Sequence, residues 1–82
     1  MRWREYWFVV EVRESGVFEP LGPPRQVPNV ALRDSSLEAF VDALLADGVA
    51  ELDDLRGELR VRVFETPGAD TEPVLERVAE LR

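Results

Sequence analysis

The sequence predicts a small α+β domain, a two-layer sandwich in which two helices cover one face of a mostly antiparallel sheet of three or four strands, in the order β-β-(β)-α-β-α. Three observations predict it. Arg4 to Arg13 (REYWFVVEVR) is dense in aromatic and β-branched residues and runs into a turn signal. Leu37, Phe40, Val41, Leu44 and Leu45 recur at the spacing of one helical face. Glu58 to Glu65 (ELRVRVFE) alternates with a period of two, as a half-buried strand does.

Each element follows in order. The first strand ends at Glu14-Ser15-Gly16, and Val17-Phe18-Glu19 starts a short return strand that Pro20 cuts off. Residues 20–29 (PLGPPRQVPN) hold four prolines and form an irregular or polyproline-like surface loop, because proline fixes φ and removes a donor. Gln26 to Leu32 is a candidate edge strand around Pro28. Ser35-Ser36-Leu37-Glu38 has a capping-box pattern, with the Ser35 hydroxyl taking an orphan amide and Glu38 reaching back. Gly48 stands where a helix C-terminus favours a positive φ. Residues 49–57 suit a helical turn (Val49, Leu52 and Leu55 are three apart) and a loop equally well. After Thr66-Pro67-Gly68, a helix is predicted from Thr71 to Leu81, with Pro73 in its first turn and Val74, Leu75, Val78 and Leu81 as its stripe.

Parity along the strands separates two faces. Tyr6, Phe8, Val10 and Val12 make the better core face, and belong under the helices with Leu59, Val61 and Val63. The opposite face then carries Trp3, Trp7, Val9 and Phe64 among Glu5, Glu11, Arg60 and Arg62. No further element is long enough to cover it. The candidate interaction residues are therefore Trp3, Trp7, Val9, Arg60, Arg62 and Phe64.

Length and composition point the same way. Eighty-two residues make one domain, residues 1–82, and a chain this short buries only about 60–65% of its unfolded surface. Small cores are commonly reinforced by disulfides, a metal or a partner subunit. With no Cys and no His, a partner is the route left open, and a homodimer through the Trp/Arg face is its simplest form. A solvated face, with Arg60 and Arg62 lying over Trp rings and pairing with glutamates across strands, is the plainer alternative. A platform for single-stranded nucleic acid is a third, opposed by a net charge of −7.

The acids are unevenly spread: residues 1–40 hold six acids and five Arg, residues 41–82 eleven acids and five Arg. Such a surface suits a basic protein partner better than phosphate. All ten cations are Arg, a bias that GC-rich coding produces without any functional preference. The longest apolar run, Tyr6 to Val10, fits neither a signal peptide nor a membrane span, so a cytoplasmic protein is expected.

Chemistry is thinly represented. No Cys, His or Lys is present to serve as thiolate, proton shuttle or Schiff-base amine, so Ser15, Ser35 and Ser36 have no activating base and no enzymatic activity is expected. Asp47, Glu51, Asp53 and Asp54 cluster, but not at the spacing of an EF-hand, and no metal or other cofactor is predicted. Pro20-Leu21-Gly22-Pro23-Pro24-Arg25 fits the PxxPxR pattern of SH3 ligands in form only.

The strand-turn-strand from Phe8 to Glu19, followed by a capped helix carrying Glu38-Ala39, resembles HicB-type antitoxin domains, whose helix often has a Glu-Ala pair near its start. The resemblance covers about half the chain and implies a small basic toxin as partner. The proline-rich loop departs from that pattern, and no DNA-binding segment is present.

Overall fold

A computed structural model describes residues 5–34, 36–52, 54–69 and 71–81. Its elements are β1 (Trp7–Arg13), β2 (Glu19–Pro20), β3 (Arg25–Gln26), α1 (Asn29–Asp34), α2 (Leu37–Glu51), β4 (Gly57–Phe64) and β5 (Leu75–Leu81). They form an antiparallel sheet in the order β2-β1-β4-β5, with β3 beside β2 on the same edge of β1. Two helices join it, so the fold is α+β.

The centre of the sheet is the β1–β4 pair, in register from Trp7–Phe64 to Arg13–Glu58. Phe8 lies inward from β1 with Leu59, Val61 and Val63 of β4, and Tyr6, Val10 and Val12 pack against the same cluster. Val41 and Leu45 of α2 close this core, as the alternation along both strands predicts. α2 rests mainly on β4 and β5. Its link to β1 is Phe40, which meets Phe8 edge-on at 5.4 Å between ring centroids.

The C-terminal segment corrects the predicted order. Residues 71–81 contain no helix; Leu75–Leu81 is β5, paired with β4 over seven residues, Leu81 with Gly57 through Leu75 with Val63. The stripe of Val74, Leu75, Val78 and Leu81 suits a helix, but Leu75, Ala79 and Leu81 also fall on one strand face. Hydrogen bonding decides. β4 is the most buried strand, and without β5 its outer amides and carbonyls would be left unpaired beside the core.

The proposed edge strand over 26–32 is also corrected. Arg25 and Gln26 pair with Phe8 and Trp7, and the Val27 amide donates to the Tyr6 carbonyl at 2.7 Å. Pro28 has no amide to continue the ladder, and α1 begins at once, sending Leu32 into the core.

α2 is capped one residue later than the sequence pattern suggests; Ser35 lies outside the described residues. Ser36 is extended (φ −90°, ψ 164°), and its hydroxyl accepts from the Ala39 amide at 3.1 Å. Glu38 then stands in the first turn, where its charge favours the helix dipole, instead of at the capping-box position. Ser36→Ala should cost about 1 kcal/mol, a fall of roughly 4–8 °C in Tm for a domain this size. An unchanged melting curve would remove the cap from the account of stability.

Gly48 does not end the helix, which runs on to Glu51. Its role is close approach: a Cβ there would stand 2.5 Å from Leu59 Cδ2, so the missing side chain lets α2 lie against β4. Residues 49–57 thus divide into the last helical turn, a short connection and the first residue of β4.

A candidate interaction face

The face of the sheet turned away from the helices is built by residues that alternate with the core set. Cross-strand partners bring Trp7 to Phe64, Val9 to Arg62, Glu11 to Arg60 and Arg13 to Glu58. Beyond β4 the same rows continue into β5 as Arg62–Glu76, Arg60–Val78 and Glu58–Glu80.

Glu11 is the hub, only 5% exposed. Its Oε1 accepts from Arg60 Nε at 2.7 Å and from Arg62 Nε at 3.0 Å, while Oε2 accepts from Arg62 Nη2 at 3.0 Å. Arg60 sits directly opposite; Arg62 reaches diagonally and binds with its fork. Arg13 forms an ion pair with Glu58. Every buried side-chain nitrogen and oxygen among the described residues has a hydrogen-bond partner.

Rings complete the layer. The Phe18 ring lies under two guanidinium groups, with Cζ of Arg60 4.0 Å and Cζ of Arg13 4.6 Å from its centroid. Arg62 stacks on Phe64 at 5.3 Å. Such stacking lets a half-buried arginine keep a partner for its flat face while its edge donates to a carboxylate.

The expected site residues are therefore largely brought together. Val9 and Phe64 are buried, Trp7 is half-buried opposite Phe64, and Arg60 and Arg62 are half-buried around Glu11. Trp3 lies outside the described residues. Arginines do pair with a glutamate and lie over rings, but the rings are those of Phe18 and Phe64. Sequence reasoning left out Phe18, Arg13 and Glu58. Parity does place Arg13 with Glu11; Phe18 carries no such signal, because it follows the turn and reaches the face only through the path of the chain.

The polarity of the α2 and β5 surfaces follows from this arrangement. Arg13, Arg60 and Arg62 are turned onto Glu58, Glu11 and Phe18, and Arg77 reaches Asp42 at 3.4 Å. Glu38, Asp42, Asp47 and Glu51 on α2, and Glu76 and Glu80 on β5, are exposed. No cation occurs on α2.

The two edges of the sheet differ. On the outer side of β1, β2 and β3 pair over two residues each, in a segment that carries Pro20, Pro23, Pro24 and Pro28. On the outer side of β5, no strand is paired among the described residues.

Among the described residues no group of three or more His, Cys, Asp or Glu is placed to hold a metal ion, and no helix is long and apolar enough to cross a membrane. Compared with known proteins, the chain matches no family model, no curated protein and no solved structure.

Proposed function

We propose that this chain is a non-enzymatic protein-interaction domain whose partner is a basic protein segment. The observation that carries the reading is the sorting of charge. The sheet arginines are spent on internal carboxylates and rings, while six carboxylates of α2 and β5 face outward with only Arg77 among them, itself directed at Asp42. Outward charge of one sign steers encounter with the opposite sign and repels phosphate. The partner chemistry is the one that the HicB resemblance implies.

A homodimer through the Trp/Arg face is the second reading. It is supported by the apolar groups that this face still presents, with Trp7 and Phe18 half-buried and Val78 47% exposed beside the buried Val9 and Phe64.

The test is a titration at 150 mM salt against labelled peptides that alternate basic and apolar residues, beside acidic analogues and a single-stranded oligonucleotide. Micromolar binding of the basic peptides alone is expected, weakening as salt rises. If no basic peptide binds, or the oligonucleotide binds better, the reading falls. Light scattering on the same samples addresses the second reading: a dimer mass that reverts to monomer in Trp7→Ala transfers the role to the Trp/Arg face.

A further inference from the structure

We infer that the outer edge of β5 is the docking site, and that it takes up an extended basic segment of another protein as an added strand. The inference rests on the basic-partner reading above and gives it a place and a pattern.

The edge is well formed for strand addition. β5 is held in register by seven pairs with β4 and contains neither proline nor glycine. Its outer backbone groups have no strand partner among the described residues. The other edge of the sheet is already occupied: Leu21 donates to the Val10 carbonyl at 2.8 Å and Val27 to that of Tyr6 at 2.7 Å. Main-chain hydrogen bonds to an open edge supply affinity, and alternate side chains supply specificity.

The rows across the sheet specify the occupant. One runs Arg13, Glu58, Glu80, and another runs Arg62, Glu76. Both reach the open edge as carboxylates. Glu80 is the less satisfied, since it stands opposite Glu58, a like charge already paired with Arg13. A cation on the next strand would complete each row. Between them Arg60 is followed by Val78, which invites an apolar neighbour.

The fitting segment therefore reads basic-x-apolar-x-basic, its two cations about 13 Å apart at strand spacing. A second copy of this chain does not fit, because the even positions of β5 offer only Glu76, Val78 and Glu80. The same carboxylates that deter self-pairing at this edge select a basic strand.

The experiment is fluorescence anisotropy with a labelled Lys-Thr-Val-Thr-Lys peptide flanked by neutral residues, against the whole chain. Three comparisons run beside it: the double variant Glu76→Gln/Glu80→Gln, a triple variant Glu38→Gln/Asp47→Asn/Glu51→Gln on α2, and the peptide N-methylated at alternate residues. These side chains are exposed, so the variants keep the fold. Loss of two ion pairs at the edge should weaken binding about 10-fold, while the α2 variant changes it less than about 2-fold. N-methylation, which blocks backbone donors without altering charge, should abolish binding. If the α2 variant loses affinity and the β5 variant does not, or if the methylated peptide binds equally well, strand addition at β5 is overturned while a basic partner stands. If no basic peptide binds the wild type, both readings fall together.

Discussion

Gly57→Ala is expected to cost about 3–5 kcal/mol, more than a methyl group added at Gly16, Gly22 or Gly48. Gly57 has φ +130°, a region essentially closed to residues with a Cβ, and occupying it costs of order 1–3 kcal/mol. A Cβ there would also fall 1.9 Å from the Arg13 carbonyl oxygen and 2.9 Å from its carbon. Those atoms are backbone at the end of β1 and cannot swing aside. The strands must separate where Arg13 meets Glu58, or Gly57 must change conformation and release the start of β4.

A domain of 82 residues has about 4–12 kcal/mol of stability in all, so much of it would disappear. Urea unfolding should show a large fall in midpoint with little change in slope. Gly16→Ala is the control. Gly16 has φ +84° but nothing within 4 Å of the added methyl, so it should lose only about 1 kcal/mol. Equal losses at the two positions would show that backbone conformation alone matters and that the approach to Arg13 does not.

Removing the carboxylate hub comes second. Glu11→Leu leaves Arg60 and Arg62 beside each other with their common acceptor gone. Breaking a buried ion pair from one side costs about 3–5 kcal/mol, and the partial exposure of both arginines lowers the expectation to about 2–3 kcal/mol. The loss should be recovered when the whole cluster is made apolar. Glu11→Leu/Arg60→Met/Arg62→Leu no longer strands any charge, and it should be more stable than Glu11→Leu by about 2 kcal/mol. Thermal melts of the three proteins decide the matter. A triple variant weaker than the single one would mean that the arginine stems and their stacking on Phe18 and Phe64 contribute more than the charges.

Much of this is legible in the sequence alone. The parity of β1 and β4 separates the core set from the Glu11, Arg60 and Arg62 set, because a two-residue period leaves no choice of face once the helices are placed. The helix through Phe40 and Leu44 is equally plain. The C-terminal strand is not legible locally: Val74, Leu75, Val78 and Leu81 satisfy the helical period while Leu75, Ala79 and Leu81 satisfy that of a strand, and the deciding fact, the bare outer side of β4, belongs to another part of the chain. Gly48 shows the same limit. A glycine near a helix end reads locally as a terminator, whereas its purpose here is set by Leu59 on β4. Phe18 entered the candidate site without warning for a related reason, since its place under Arg13 and Arg60 depends on a loop path.

The pairing of β1 with β4 has a consequence for how the chain is made. Arg13 and Glu58 are 45 residues apart and Glu11 and Arg60 are 49 apart, so closing the central pair costs about 3 kcal/mol of chain entropy before any contact offsets it. During synthesis the delay is also one of time. At ordinary elongation rates, about 50 residues take roughly 3–10 s, and for that interval Tyr6 to Val10, the longest apolar run in the sequence, has no β4 to pair with. What it does have is the segment made just after it. β2 and β3, in a segment that holds four prolines, lie along its other side in pieces too short and too interrupted to recruit a neighbouring chain. The proline-rich arm is thus the first cover β1 receives, made before α2 brings Phe40 to Phe8 and before β4 exists.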